Sequence, residues 1–291
     1  MHPRLLPRNN NRPTGPTRRF VLGMGLVLGA PSVFAQGGAV RTGGLTLRAT
    51  YGERGPEIGA PLIWRIYSAR GTDLQLVATS DQPRTSLALP IGDYAIHASH
   101  GLATASRLIT LGETGQVTSL AINAGGLSVS GYLGVPERPL PGYRQKLALY
   151  IPTANNSEGK LVTDNLRPSS IIRLPEGTYH LVSTYTGSNS VVRSDVRIET
   201  GKLTEAVINH RAATMTLKLV RQPGGVALAG AQWTIETPGG DIVGEAVGAF
   251  PDVDVAEGSY NVLARHNERD YRGVMKVEGG INHDFEIVVG E

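Results

Sequence analysis

Leu174-Pro175-Glu176-Gly177-Thr178-Tyr179 decides the reading of this chain, because the sequence repeats it. An earlier copy reads Leu89-Pro90-Ile91-Gly92-Asp93-Tyr94, and a later one reads Val255-Ala256-Glu257-Gly258-Ser259-Tyr260. The tyrosines lie roughly 80 residues apart, the size of a small all-β module. Each copy has the chemistry of a turn that launches a strand: proline fixes φ, glycine accepts backbone angles that other residues resist, and a tyrosine closes the corner. Alternating residues follow every copy: Tyr94, Ile96, Ala98; Tyr179, Leu181, Ser183; Tyr260, Val262, Ala264. Period-two alternation is the pattern of a half-buried strand.

The same alternation extends outward from the three corners. Leu45, Leu47 and Ala49 share a face near the start, and Leu62, Trp64 and Ile66 follow. Further strands are expected over 74–79, 84–89, 93–100, 105–111 and 117–122. A second series covers 127–129, 146–151, 160–163, 170–174, 178–185, 191–199 and 202–209. A third covers 214–220, 231–237, 241–246, 250–255, 259–266, 272–277 and 282–289. Seven short strands in each stretch predict an all-β chain of three tandem seven-stranded antiparallel β-sandwich modules. The modules are expected over 44–124, 125–212 and 213–291, behind a Gly-rich linker over 36–43. Pro136, Pro139 and Pro141 forbid a long helix between the first two strands of the second module. The short linkers Asn123-Ala124-Gly125 and His210-Arg211-Ala212-Ala213 predict a stiff series of modules.

Residues 1–35 read as a secretory signal peptide. A basic segment with Arg4, Arg8, Arg12, Arg18 and Arg19 and no acid precedes an apolar run, Phe20 to Ala30, and small residues before a cut after Ala35. The run is well short of the ~20 residues of a spanning helix, so no stable membrane span is expected in the mature form. Thr17-Arg18-Arg19-Phe20-Val21-Leu22 resembles a twin-arginine signal. Without these five arginines, 23 basic residues face 25 acidic ones, so the net +3 belongs to the leader. A nearly neutral body argues against a nucleic-acid partner. The absence of cysteine removes disulfides, thiolate metal sites and cysteine nucleophiles.

Three modules carrying Leu-Pro-x-Gly-x-Tyr or a close variant resemble bacterial extracytoplasmic immunoglobulin-like β-sandwich repeats, of the carboxypeptidase-regulatory-like and PEGA type. The third copy departs from the pattern, with Val255-Ala256 in place of Leu-Pro. The resemblance implies scaffolding, adhesion, or binding of protein or polysaccharide outside the cytoplasm, and it implies no chemistry.

Candidate sites are few. Trp64 and Trp233 have apolar same-face neighbours and are expected beneath their sheets, with Leu147 or Leu149 taking that place in the second module. His97 and His100 are three apart on a strand, so they face opposite ways and cannot chelate one metal. Asp252, Asp254 and Glu257 form the one tight acidic group and are expected to be ordinary solvated acids, since calcium asks for six or more oxygens. No nucleophile elbow or phosphate loop is present: Ser128 has the wrong spacing, and Pro223-Gly224-Gly225 lacks the lysine and helix. No catalytic residue, cofactor or metal site is expected.

One recurrence remains. His100, Tyr185 and His266 each stand six residues beyond a corner tyrosine, and Arg107, Arg193 and Arg272 follow near the start of the next strand. These six are the candidate binding residues, as a row of rings and guanidinium groups for a glycan or acidic partner. The competing explanation is that the arginines guard edge strands against pairing. The functional expectation is an exported, non-enzymatic envelope protein, periplasmic or secreted, contacting envelope proteins. The alternative is a carbohydrate-binding protein for peptidoglycan or surface polysaccharide. The sequence assigns no oligomeric state.

Overall fold

The structure is a computed structural model and describes residues 40–70, 73–134, 137–154 and 156–290. The predicted signal peptide and most of the linker lie outside the described residues. From Arg41 to Glu291 the chain forms one compact unit.

Six sheets pack as three sandwiches. The first is built from β1 (Thr42–Tyr51), β2 (Ile63–Arg70), β3 (Asp73–Ser80), β4 (Thr85–Pro90), β5 (Gly92–His100), β6 (Ala103–Leu111) and β7 (Gln116–Ile122). Its sheets have the orders β4-β1-β7 and β3-β2-β5-β6. The second uses β8 (Ala124–Leu133), β9 (Arg138–Pro139), β10 (Gln145–Thr153), β11 (Asn156–Leu166), β12 (Ile172–Pro175), β13 (Gly177–Tyr185), β14 (Val191–Ile198) and β15 (Leu203–His210). Its sheets have the orders β12-β8-β15, with β9 beside β8, and β11-β10-β13-β14. The third uses β16 (Ala212–Val220), β17 (Gln232–Glu236), β18 (Ile242–Val247), β19 (Asp252–Ala256), β20 (Gly258–His266), β21 (Arg269–Val277) and β22 (His283–Val288), ordered β19-β16-β22 and β18-β17-β20-β21.

The pairing is antiparallel with one exception per sandwich, which corrects the expectation of a purely antiparallel fold. β1 pairs β7, β8 pairs β15 and β16 pairs β22 in parallel. A 3-10 turn at Gly142–Arg144 is the helical element of the proline-rich excursion. No helix among the described residues is long and apolar enough to cross a membrane.

Alternation places the cores. Leu45, Leu47, Trp64, Ile66 and Ile96 are buried in the first sandwich, Leu127, Leu147, Leu149 and Leu181 in the second, and Met215, Leu217, Trp233 and Val262 in the third. Trp64 and Trp233 lie beneath their sheets, and each indole N–H donates to a backbone carbonyl, Gln82 O at 2.9 Å and Gly248 O at 3.1 Å. Leu147 holds the matching position in the second sandwich, where it pairs with Ser183 as Trp64 pairs with Ala98 and Trp233 with Ala264.

The corners share one geometry. Tyr94, Tyr179 and Tyr260 each donate the phenolic hydrogen to the carbonyl four residues back: Pro90 at 2.6 Å, Pro175 at 2.9 Å and Ala256 at 2.9 Å. The glycine inside each corner has φ of 150° (Gly92), 158° (Gly177) or 157° (Gly258), which side chains rarely adopt. Proline is dispensable because only its carbonyl is used, which explains how Ala256 serves in the third copy.

Two substitutions test the corner by chemical denaturation. Tyr179→Phe removes one hydrogen bond and is expected to cost about 0.5–1.5 kcal/mol. Gly177→Val forces a branched residue into that backbone and is expected to cost about 1–3 kcal/mol.

Candidate functional site

The sandwiches join through single residues. β7 ends at Ile122 and β8 begins at Ala124; β15 ends at His210 and β16 begins at Ala212. Asn123 and Arg211 are therefore the whole linkers, and both are fastened: Glu176 N donates to Asn123 O at 2.9 Å and Glu257 N to Arg211 O at 2.8 Å. In both cases the far end of one sandwich meets the corner end of the next.

At the first seam, the Gly101 turn lies on Arg173. Leu102 N donates to Arg173 O at 2.9 Å, and a Cβ on Gly101 would stand 2.6 Å from Arg173 Cβ. At the second seam, Asn189 reaches across with both ends of its amide. Its Nδ2 donates to Tyr260 Oη at 3.0 Å and its Oδ1 accepts from Ala256 N at 2.8 Å. Arg144 bonds Asp254 at 2.5 Å while its guanidinium lies 4.5 Å from the centroid of the Tyr185 ring. The Asp254 hydrogen bond raises the arginine pKa further. Gly134 allows the approach: a Cβ there would stand 2.0 Å from Gly280 Cα.

These seams absorb much of what the sequence offered as a binding row. His100 is 4% exposed and Tyr185 3% exposed. His100 packs edge-on against Tyr51, whose hydroxyl is 3.2 Å from its Nε2, and burial followed by the nearby Arg173 lowers its pKa. Burial likewise raises the Tyr185 pKa. Both rings are therefore buried, His100 against Tyr51 of its own sandwich and Tyr185 among Leu140 and Ala212 at the second seam. His266, at the far end of the last sandwich, is half-buried and bonded to Asn267.

The three arginines are exposed on edge strands, β6, β14 and β21. They do not form one row. Arg107 stands opposite the buried Ile96, whereas Arg193 and Arg272 stand opposite Val182 and Leu263 on the outer faces. The residue of the first sandwich that matches Arg193 and Arg272 is Ser106. Arg107 instead reaches between the sheets to Ser119 O on β7 at 3.3 Å. Arg272 borders a shallow hollow of ≈ 390 Å³ with Glu236, Asn261, Leu263 and Val274.

The acids make surface contacts: Asp252 and Glu257 stay exposed, as solvated acids should, and Asp254 is half-buried. Asp252 accepts from Thr216 Oγ1 at 2.7 Å, and Asp254 from Thr214 Oγ1 at 2.6 Å as well as from Arg144. Glu257 accepts from Arg211 Nε at 2.7 Å and from Gly279 N at 3.1 Å. Its pKa is lowered, first by the Arg211 hydrogen bond. No group of three or more His, Asp or Glu among the described residues could hold a metal ion.

Sequence reasoning missed the seam residues Asn189, Arg144 and Arg173, whose roles depend on a neighbouring module. The seam can be tested at Asn189. Asn189→Ala strands the Ala256 N–H, and an orphaned buried donor costs about 1–3 kcal/mol. The expected result is faster hydrogen exchange at the Ala256 amide, with the Leu102 amide of the first seam unchanged.

Comparison with known proteins adds a family likeness for one sandwich. Residues 214–289, under half of the chain, match the Rhizobiales growth-associated tandem repeat domain. No curated protein matches the chain. Among solved structures, the Bacillus anthracis TIE protein is 18% identical over 86% of this chain and 51% of its own, with a TM-score of 0.25. The chain thus spans about half the length of that protein. A streptococcal ancillary pilin is 10% identical over 85% of this chain and 98% of its own, with a TM-score of 0.31. GBS52, the minor pilin of Streptococcus agalactiae, is 16% identical over 57% and 94%, with a TM-score of 0.28. Likenesses at these identities and scores carry no argument about function.

Proposed function

We propose that this chain is an exported, non-enzymatic scaffold of the cell envelope, built to hold three immunoglobulin-like sandwiches at fixed spacing and to contact envelope proteins. The observation that carries the reading is the pair of seams. Single-residue linkers, backbone bonds across both junctions and the Asn189 and Arg144 clamps invest the polar side chains in module-to-module geometry. A protein that positions modules needs such junctions, while a catalyst needs convergent polar groups in a cleft. The match to a tandem repeat domain supports the repeat character, and kinship with carboxypeptidase-regulatory-like or PEGA-type repeats belongs to the same proposal. Export rests on the leader sequence, which also makes the destination periplasmic or secreted.

A second reading, polysaccharide binding, is favoured by the hollow at Arg272, where a carboxylate, an amide and a guanidinium surround two apolar side chains. Arg193 occupies the matching place in the second sandwich, and edge protection is the competing role for both.

Three measurements test these readings. The exported protein is expected to begin at Gln36, and replacing Arg18 and Arg19 together with lysine is expected to block export; an intact Met1 form in membrane would sink the export proposal. Cross-linking in intact cells is expected to yield adducts with envelope proteins. Retention on envelope polysaccharide that Arg272→Ser abolishes would move the conclusion to the second reading. Self-association of the Arg193→Ser, Arg272→Ser double variant with unchanged retention would leave the arginines as edge guards.

A further inference from the structure

The interior of the middle sandwich differs from its neighbours at the end that meets the third. Two residues before Trp64, Leu147 and Trp233 stand Leu62, Gln145 and Ala231. Four residues beyond the corner tyrosines stand Ala98, Ser183 and Ala264. The last strands of the first two sandwiches end on Ile122 and His210, whose carbonyls accept from Gly52 N at 3.1 Å and Gly134 N at 3.1 Å. The first sandwich therefore fills this end with Leu62, Ala98 and Ile122, all fully buried and apolar. The second fills it with Gln145, Ser183 and His210, of which Ser183 and His210 are 0% exposed and Gln145 6%.

These polar groups form one cluster. His210 Nε2 lies 2.8 Å from Ser183 Oγ, and His210 Nδ1 lies 2.9 Å from Ser190 Oγ. Gln145 Nε2 donates to Ser183 Oγ at 3.0 Å, while Gln145 Oε1 is buried with no protein partner. Gly131 makes the room, since a Cβ there would stand 2.6 Å from the Gln145 amide; the matching residue of the first sandwich is Ala49. A buried polar cluster with an orphaned acceptor is a costly way to fill a core that leucine, alanine and isoleucine fill next door.

Position gives the cluster a consequence. His210 is the last residue before the linker Arg211, and its carbonyl holds Gly134, the glycine pressed against Gly280 of the third sandwich. Tyr185 covers the cluster with its ring 6.1 Å from the imidazole, and Tyr185 packs with Leu140 and Ala212 at the seam. The charged and titratable groups around it are Tyr185, Arg144 above that ring, Asp254 beyond Arg144, and Arg211 next in the chain. Among its hydrogen bonds no carboxylate reaches the imidazole to stabilise a charge.

We propose that this cluster is a pH-sensitive latch: protonation of His210 opens the far end of the middle sandwich and releases the second seam. Burial holds the His210 pKa below its ordinary value. The sign follows from linkage. The opened form binds the proton more readily, so the latch is fully closed above the ordinary histidine pKa of about 6.5 and loses stability as pH falls through the lowered value. His100 at the first seam is lowered too, by burial and then by Arg173, so that seam has a titration of its own, which replacing the cluster leaves in place.

The experiment uses the mature chain and amide hydrogen exchange corrected for intrinsic rates. The Ala256 amide, which donates to Asn189, reports the second seam, and the Leu102 amide, which donates to Arg173, reports the first. Protection of Ala256 is expected to fall by up to about tenfold between pH 7.5 and 5.5, the limit that one histidine sets for a single pH unit below the unfolded pKa of about 6.5. The triple variant Gln145→Leu, Ser183→Ala, His210→Ile, which copies the first sandwich, is expected to lose the pH response at Ala256. Unchanged wild-type protection at Ala256, a triple variant that responds like wild type there, or one that loses the Leu102 response equally would each overturn the latch. If the triple variant does not fold, the wild-type titration decides: an NMR midpoint for His210 at or above about 6.5 overturns the proposal, and one below it, with the loss at Ala256 running from about 6.5 down to that midpoint, supports it.

Discussion

Everything in this chain hangs on a hydrogen bond between a tyrosine hydroxyl and a carbonyl four residues upstream, made three times. The bond closes a turn around a glycine at φ near 150–158°, and so fixes where one sheet ends and the other begins. That in turn sets the register of the strand behind the tyrosine, and the buried residues of β5, β13 and β20 follow from it. The same turn also builds the joint. The residue between the carbonyl and the glycine donates its N–H to the linker, Glu176 to Asn123 and Glu257 to Arg211, and the pattern already stands at the front, where Ile91 N bonds Arg41 O at 3.0 Å. One local motif thus serves both to fold each sandwich and to seat it on the one before.

What sequence could reveal follows from how local each feature is. The corner involves residues within four positions, so Leu174 to Tyr179 announces it directly. Trp64 and Trp233 were readable because alternation places them with Leu62 and Ala231 on an inner face. The parallel pairing of first and last strands was not readable, since it joins residues some seventy positions apart, such as Leu45 and Gln116. His100 and Tyr185 looked like surface rings because residues distant in sequence cover them, Tyr51 the first and Leu140 with Ala212 the second. Arg107 looked equivalent to Arg193 and Arg272 because an offset counted along the chain includes the hairpin loop. The turns after His100 and His266 are equally long and the loop after Tyr185 is two residues longer, so Ser106, Arg193 and Arg272 share a face, and Arg107, one residue beyond Ser106, takes the opposite one.

The two seams are made by different chemistry on one plan. The first rests on backbone bonds at Leu102 and Glu176 and on close contact of Gly101 with Arg173. The second adds a bidentate amide and an arginine shared between a carboxylate and an aromatic face. A stacked series of sandwiches gains much of its order from such nearest-neighbour contacts. The far end of the third sandwich departs from the plan: in the register of its first strand Gln222 stands where Gly52 and Gly134 stand in the first two.

The parallel pairing has a mechanical meaning. In every sandwich the chain enters on the first strand and leaves on its parallel neighbour, so the two points of attachment lie at opposite ends of one ladder. Tension applied through the linkers would pull β8 and β15 along their length in opposite directions. The backbone bonds between Gly126 and Leu133 on one side and Leu203 and His210 on the other would then carry the load together in shear, instead of parting one at a time as in an unzipped hairpin. Extending such a chain by force would require a whole ladder to fail at once.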